Sequence, residues 1–271
     1  MKNVDANWAR EIKSCCADLY GQDLTRLLLG ETLHPGGLAL TARLAALLEL
    51  GREDLVLDAA SGLGTSALYL ARSLGCRVVG LDLSSANLAR GRRSTEEAGL
   101  SGIIRFQVGD AEALPFRDGL FDAVLSECAF CTFPDKAKAA HEIFRVLRPG
   151  GRLGLADVTI EEGALPDDLR GILMRAACVA DARTADTYRS LLFQAGFGRF
   201  RTEEHPDALS GLLVQIRARL HLGRLAIQAG FSPFDDLDLE AAERIVAQIE
   251  ALVRDGKLGY VVLLAERPDG I

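Results

Sequence analysis

The sequence lacks an excess of basic side chains: among its 271 residues, 31 Lys and Arg stand against 38 Asp and Glu, for a formal net charge of −7. A groove that binds nucleic acid needs surplus positive charge to neutralise phosphates, so this balance argues against a nucleic-acid partner. No apolar run approaches the roughly 18 residues of a membrane-spanning helix. We therefore expect neither nucleic acid nor a membrane as a partner, and the oligomeric state is left open.

Export features are missing as well. The opening residues, from Met1 to Asp5, do not resemble a signal peptide. Six cysteines without an export signal are expected to be free thiols in a reducing compartment rather than a disulfide scaffold. The sequence therefore predicts a cytoplasmic protein, and its 49% hydrophobic residues suffice for a sizeable core.

The N-terminal part of the chain has a helical pattern. Apolar side chains recur at helical spacing over residues 7–29 and again over 38–50. Between these two segments, Pro35 and the paired glycines that follow it interrupt the helix. This pattern predicts an N-terminal helical cap over residues 1–50.

After residue 50, short apolar segments alternate with helical ones. The predicted strands cover residues 55–58, 77–82, 104–108, 121–126, 152–157, 200–204 and 259–265. The predicted helices cover 66–73, 86–98, 136–147, a stretch between 157 and 193, 208–229 and 239–254. This order predicts an α/β domain over residues 51–271, with a mostly parallel seven-stranded sheet, helices on both faces and a helical addition at about 208–256.

A glycine-rich turn follows the first predicted strand, in the stretch "DAASGLGT" from Asp58 to Thr65. The second strand ends in Asp82, 82 − 58 = 24 residues later, where a carboxylate can accept hydrogen bonds from a ribose diol. A dinucleotide-binding site also combines a glycine-rich turn with a later acid, but Ala67 stands where the third glycine of that motif would be. An acid at the end of the first strand would repel a pyrophosphate and attract a cationic ligand.

These stretches resemble the motifs of class I S-adenosylmethionine-dependent methyltransferases. "VLDAASGLGTS", "GLDLS" and "VGDAEALPF" are similar to the first three motifs of that family, and "FDAVLSE", "VLRPGGRLGLADV" and "GYVVLLAERP" to its later strands. The resemblance implies a Rossmann-like fold and S-adenosylmethionine as the methyl donor. It also implies donor contacts from Asp58, Ala60, Gly62, Gly64, Asp82, Leu83, Asp110, Ala111 and Glu127. Ala60 departs from the family, which usually has glycine there.

The methyl acceptor must be nucleophilic, and an oxygen or carbon acceptor commonly needs a general base. The chain has four histidines, His34, His141, His205 and His221. His34 lies in the break ahead of the sheet, where N-terminal segments often cover the donor methyl, and is the candidate for the site. His141 is expected to be structural.

Two cysteines point to a second acceptor chemistry. "SECAFCTFPDKAKAAHEIFRVLRPGG" and "ACVADARTADTYRSLLFQAGF" resemble stretches of the arsenite methyltransferases, with Cys128 and Cys178 at the positions of two cysteines of that family. The resemblance implies that Cys128 and Cys178 are catalytic thiolates that bind trivalent arsenic, a choice consistent with soft sulfur ligands. The family has a third thiol in the segment ahead of the first motif, where this chain offers His34 and no cysteine. Cys15 or Cys16 could substitute for that thiol, and His34 is a further candidate for substrate binding.

The chain departs from that family in the spacing C-x-x-C, which leaves Cys131 without a counterpart. A structural zinc site is disfavoured because "CAFC" has no second Cys or His pair, so no resident metal is expected. Cys76 is expected to be buried filler. The alternatives are a small-molecule O-, N- or C-methyltransferase of the quinone or natural-product type, and a non-catalytic metalloid-binding relative.

Overall fold

A computed structural model describes residue 13 and residues 23–30, 32–169, 178–228 and 238–269. Two predicted site residues, Cys15 and Cys16, lie outside these ranges. The helices are α1 Asp23–Leu29, α2 Gly37–Leu47, α3 Thr65–Leu74, α4 Ser85–Glu97, α5 Lys136–Val146, α6 Ala185–Gln194, α7 Pro206–Gln228 and α8 Leu239–Arg254. The strands are β1 Leu55–Ala59, β2 Arg77–Asp82, β3 Ile104–Val108, β4 Phe121–Glu127, β5 Leu147–Ile160, β6 Gly198–Glu204 and β7 Leu258–Glu266.

The seven strands form one sheet in the order β3-β2-β1-β4-β5-β7-β6. β1 pairs in parallel with β2 and β4, and β7 runs antiparallel to both of its neighbours. The predicted fold class, a Rossmann-like mostly parallel seven-stranded sheet with helices, is confirmed. The strand order reverses between β1 and β4, which places a ligand crevice at the carboxyl ends of these two strands.

One prediction about the fifth strand was wrong. A helical stretch was expected directly after Asp157, but β5 continues to Ile160 because its end pairs with the start of β7, Ile160 against Leu258. The strand also begins earlier than predicted, at Leu147, which pairs with Phe121 across a register shift. The pairing partner of these residues is distant in sequence, so local periodicity could not reveal it.

Helix α2 packs directly on the sheet. A Cβ atom at Gly154 of β5 would lie 2.6 Å from Leu44 and 2.8 Å from Leu48. The glycine therefore allows the helix to approach β5 closely. This contact ties the segment before residue 50 to the core and brings the turn that precedes α2 to the crevice.

The additional helices lie before the last strand, as expected from their position in the chain. α7 packs against α8 and against α1. Ion pairs join α7 to α8 between Arg217 and Glu250 and between Arg224 and Glu243. In the described part of the chain, no helix is both long enough and apolar enough to span a membrane.

Candidate active site

The turn after β1 is shaped by residues with left-handed backbone. Ala60, Gly62 and Gly64 have φ angles of 63°, 52° and 75°. A Cβ atom at Gly64 would lie 2.5 Å from the ring of Phe106, so glycine is required there for close packing as well as for conformation. The non-glycine Ala60 keeps the same backbone conformation, so its departure from the family pattern does not change the path of the turn.

Asp82 at the end of β2 fastens this turn. Its Oδ2 accepts a hydrogen bond from the backbone N–H of Gly62 at 2.8 Å, and its Oδ1 accepts one from Ser84 at 2.8 Å. Burial raises the pKa of Asp82, although both backbone hydrogen bonds oppose the rise. The carboxylate is thus held at the mouth of the crevice with further lone pairs for the two hydroxyls of a ribose.

Asp58 at the end of β1 is a buried acid with an unused oxygen. It is 2% exposed, and its Oδ2 has no hydrogen-bond partner among the described residues. Burial, followed by the charges of Glu127 and Asp82, raises its pKa well above the ordinary value. A cationic ligand beside these acids would offset the cost of their burial, so the site fits the sulfonium and ammonium groups of S-adenosylmethionine.

Glu127 at the end of β4 is held by two hydroxyl groups. Ser66 donates to its Oε2 at 2.5 Å, and Thr41 donates to Oε1 at 3.0 Å. Thr41 lies on α2 and Ser66 on α3, so this carboxylate joins the N-terminal segment to the glycine-rich turn. Its position is therefore set by three elements that are far apart in the sequence.

His34 lies against this carboxylate. The ring is 5% exposed, its Nδ1 is 3.2 Å from the carbonyl oxygen of Pro35, and its Nε2 is 3.8 Å from Oε2 of Glu127. Nε2 has no hydrogen-bond partner in the described part of the chain. The left-handed residues Leu33 and Gly36, with φ of 57° and 77°, flank the ring and turn it towards the crevice.

Asp110 after β3 is paired with a residue near the N-terminus. Lys13 Nζ lies 2.7 Å from Oδ2 of Asp110 and 2.6 Å from Oε2 of Glu112. Burial lowers the pKa of Lys13, but the hydrogen bonds to both acids outweigh that effect and raise it. The structure thus brings an N-terminal cation to the acid that the resemblance assigns to the adenine amino group.

These groups line one pocket with about 1020 Å³ of empty space, its open mouth included. Its wall contains every predicted donor contact except Gly64, together with His34 and Cys128. The carboxylates on the wall belong to Asp58, Asp82, Asp110 and Glu127. Lys13 is the only Lys or Arg among the described lining residues, and it is already paired. The pocket therefore favours neutral or cationic ligands over anions.

Cys128 and Cys178, 50 positions apart, meet beside this pocket. The Cys178 thiol donates a hydrogen bond of 2.9 Å to the carbonyl oxygen of Cys128. Cys128 lines the pocket, whereas Cys178 is 2% exposed and lies behind it. Both have left-handed backbone, with φ of 53° and 68°, which is uncommon for residues with a side chain and costs conformational energy.

Cys131 belongs to the same cluster, although the sequence indicated no role for it. A short 3₁₀ turn over Phe130–Thr132 places the buried Cys131 near Cys128, and the thiols of Cys128 and Cys178 are close enough to influence its pKa. Spacing of three residues was the available signal, because such turns place residues i and i+3 on one side. Burial, followed by these thiol contacts, raises the pKa of Cys131 well above the ordinary value.

Neighbouring groups also influence the protonation of the Cys128 thiol. Cys131 lowers its pKa, but Cys178 and burial raise it overall, well above its ordinary value. A buried carboxyl, Asp157, lies beside Cys131, and its Oδ2 accepts from the backbone N–H of Cys131 at 3.1 Å. Burial and the neighbouring Cys178 raise the pKa of Asp157 to about 7. The thiols of Cys128 and Cys131 are therefore protonated near neutral pH without a ligand.

Other candidate residues lie away from the pocket. Cys76 is fully buried and donates to the carbonyl of Gly51, as expected for filler. His141 is exposed on α5, with its ring against the carbonyl of Ala137. Among the described side chains, no group of three or more His, Cys, Asp or Glu is arranged to hold a metal ion.

Comparison with known proteins identifies the family. Residues 57–155 match the family described as "Methyltransferase domain". The chain is 30% identical over 213 residues to a sarcosine/dimethylglycine N-methyltransferase of Halorhodospira halochloris, across 79% of this chain and 74% of the relative. A solved structure, a putative sarcosine dimethylglycine methyltransferase from Galdieria sulphuraria, superposes with a TM-score of 0.75 at 28% identity, covering 87% of this chain and 86% of that one.

An arsenite methyltransferase of Halobacterium salinarum is 31% identical over 147 residues, but this covers 53% of the present chain and 37% of the relative. The metalloid branch is therefore one partial likeness among several small-molecule methyltransferases. The pocket carries the acids expected for the sulfonium donor, and the two sarcosine/dimethylglycine methyltransferases match over most of their length. The chain belongs to the class I S-adenosylmethionine-dependent methyltransferases and is a methyltransferase that uses S-adenosylmethionine.

Proposed function

We propose that this methyltransferase acts on a thiophilic acceptor held by cysteine thiolates, with trivalent arsenic as the first candidate. The observation that carries the proposal is that Cys178 donates a hydrogen bond to the carbonyl of Cys128, which lines the pocket, across 50 residues of chain (178 − 128 = 50), with the buried Cys131 three positions after Cys128. Thiolates select soft centres, and a trivalent arsenic bound to sulfur keeps a lone pair that can attack a methyl group.

The backbone at the two outer cysteines supports a functional role. Left-handed residues other than glycine cost about 1–3 kcal/mol where the surrounding structure enforces them, and such strain concentrates at functional sites. Cys128 and Cys178 are two of the six such residues in the described chain. Cysteine side chains that served only as filler would not require this conformation.

The charge of the pocket is consistent with such an acceptor. Arsenite is present in neutral water as uncharged arsenous acid, which four carboxylates on the pocket wall do not repel. Each hydroxyl on arsenic leaves as water when it takes the proton of a cysteine thiol, so protonated thiols are a suitable starting state. The Cys178 thiol must leave the carbonyl of Cys128 for this exchange to occur.

The test measures transfer of labelled methyl from S-adenosylmethionine to arsenite, together with arsenite binding by calorimetry. Cys128→Ser and Cys178→Ser should each lower the transfer rate at least about 100-fold, because a hydroxyl does not replace a thiolate on a soft centre. Cys76→Ser is the control, since Cys76 is buried as Cys178 is but lies outside the cluster. S-adenosylmethionine affinity should change less than about threefold in all three variants, because the donor contacts remain.

Arsenite binding and transfer that survive in Cys128→Ser and Cys178→Ser would show that the acceptor is not held by thiols. Cys15 and Cys16 stand two and three positions after Lys13 in the sequence, and Lys13 lies on the pocket wall. A Cys15→Ser, Cys16→Ser double variant in the same assay tests whether the N-terminal thiols contribute.

A further inference from the structure

We infer that the same pocket supports a further activity, methylation of an acceptor that must lose a proton, with Nε2 of His34 as the proton acceptor. This goes beyond the proposed function, because arsenic bound to thiolates presents its lone pair without losing a proton. The feature that carries the inference is a histidine nitrogen that is buried on the pocket wall and has no hydrogen-bond partner in the described chain.

The hydrogen bond at the other ring nitrogen determines the protonation pattern. A carbonyl oxygen only accepts, so the contact of Nδ1 with the Pro35 carbonyl at 3.2 Å assigns the proton of the neutral ring to Nδ1. Nε2 then carries a lone pair. Because the ring is 5% exposed and lies between left-handed residues, its orientation is set before any acceptor arrives.

The titratable groups around His34 are acids and a thiol. Glu127 Oε2 is 3.8 Å away, and its position is fixed by the hydroxyls of Thr41 and Ser66. Asp58 adds a second carboxyl next to Glu127, and Cys128 is a protonated thiol on the same wall. Lys13, the cation among the described lining residues, is paired with Asp110 and Glu112.

The reaction balances as an in-line displacement. The acceptor gives its proton to Nε2 of His34, and the lone pair that this leaves on its oxygen or nitrogen forms the new bond to the methyl carbon. The carbon–sulfur bond breaks, its electron pair stays on sulfur, and the sulfonium becomes a neutral thioether. The resulting imidazolium is balanced by the Glu127 carboxylate.

The pocket indicates the acceptor class. Its carboxylates disfavour anions, and its wall also includes Leu33, Cys128 and Phe133. A small neutral hydroxyl compound or an ammonium fits this lining. Catechol serves as the hydroxyl probe and sarcosine as the amine probe, so that the two assays show whether the acceptor loses its proton from oxygen or from nitrogen.

The first measurement does not depend on turnover. Nitrogen-15 NMR of the imidazole rings, in protein saturated with S-adenosylhomocysteine, reports which nitrogen carries the proton. His34→Asn identifies the signal of His34 among the four histidines. We expect the proton on Nδ1 and a free lone pair on Nε2. A proton on Nε2 of the neutral ring would overturn the inference.

The second measurement is labelled methyl transfer to catechol and to sarcosine. His34→Asn retains an amide N–H that can reach the Pro35 carbonyl, and His34→Gln places an amide nearer the Nε2 position, but neither is a base. Both should lower kcat by about 100-fold to 10,000-fold, the range for a general base, while KM for S-adenosylmethionine stays within about threefold. The matched control, exposed His141→Asn, should equal the wild type.

A decrease of less than about threefold in both His34 variants would overturn the inference, since a general base contributes much more. It would also be overturned if the wild type transferred methyl to neither probe. These outcomes are separate from the arsenite experiment. Failure to bind arsenite refutes the proposed function and leaves the transfer to catechol or sarcosine to decide the role of His34.

Discussion

The two ends of the pocket are constructed differently. At the donor end, the turn from Ala60 to Gly64 and the acid Asp82 are joined by a backbone hydrogen bond, and both follow strands of the same parallel sheet. At the acceptor end, His34, Cys128 and Cys178 come from the segment before α2, the end of β4 and the segment before α6. Short-range motifs position the donor, whereas long-range packing positions the acceptor groups, so the acceptor end is the freer of the two to diverge.

The largest expected effect concerns the donor end. Asp82→Ala removes the two bonds proposed for the ribose and leaves the N–H groups of Gly62 and Ser84 without their acceptor. Hydrogen bonds to a charged group contribute about 1.5–3 kcal/mol each, so S-adenosylmethionine affinity should fall about 100-fold to 10,000-fold. Calorimetry measures this, with exposed Asp255→Ala as control. A decrease below about fivefold would mean that Asp82 does not bind the donor.

The acceptor end should be more sensitive to the loss of packing. Phe130 is fully buried, and its ring contacts those of Phe133 and Tyr188 edge to face, each with centroids 5.7 Å apart. Phe130→Ala should lower the free energy of unfolding by about 3–5 kcal/mol, as measured by urea denaturation. Phe193, which is 69% exposed, gives the control, since Phe193→Ala should change it by less than about 0.5 kcal/mol. Equal losses of unfolding free energy in Phe130→Ala and Phe193→Ala would show that the packing of Phe130 does not stabilise the acceptor end.

The stability of the acceptor end should also depend on pH. Asp157 has a folded-state pKa of about 7, above the value of about 4 in an unfolded chain. Its contribution to stability is therefore complete below pH 4 and is lost as the pH rises to about 7, by at most about 1.4 kcal/mol per pH unit.

Asp157→Asn should remove this loss, so the stability of the variant relative to the wild type should increase from pH 5 to pH 7 and level off above it. Urea denaturation of both proteins at pH 5, 6, 7 and 8 measures the difference. A difference independent of pH over this range would show that Asp157 is ionised throughout.

The smallest expected effect tests the pairing of Lys13 with Asp110. If the ammonium occupies the oxygen that the adenine amino group needs, Lys13→Met should raise S-adenosylmethionine affinity, by at most about fivefold for a partly exposed ion pair. Fluorescence or calorimetric titration measures this. A tenfold decrease would instead mean that Lys13 contributes to donor binding directly.

The sequence was informative where a function depends on short segments. The strands β2 and β3 were predicted to the residue, and the glycine turn, Asp82 and Asp110 were recognised from motifs because their spacing follows from one βα unit. Cys131 shows the opposite case, since the family resemblance left it without a counterpart and the structure places it against the buried Asp157. The hydrogen bond of Cys178 to Cys128 likewise joins segments that no local pattern connects.

The buried acid Asp157 shows the same limit. In the sequence it is the last residue of a predicted strand, and its role depends on thiols from two other segments. The extension of β5 beyond it was missed for a related reason, because pairing with β7 supplies the hydrogen bonds that continue the strand.

By itself, the sequence determined the parallel α/β architecture, the methyl donor and the acids expected to face it. These follow from strand periodicity and from glycines and carboxylates at strand ends, which act within a few residues of chain. Only the tertiary structure decided that Glu127 lies beside His34, that the N-terminal Lys13 reaches Asp110, and that Cys178 reaches Cys128 while Cys131 lies against Asp157. Burial and proximity between distant segments change charge states and leave polar atoms without partners, and both arise only when the chain is packed.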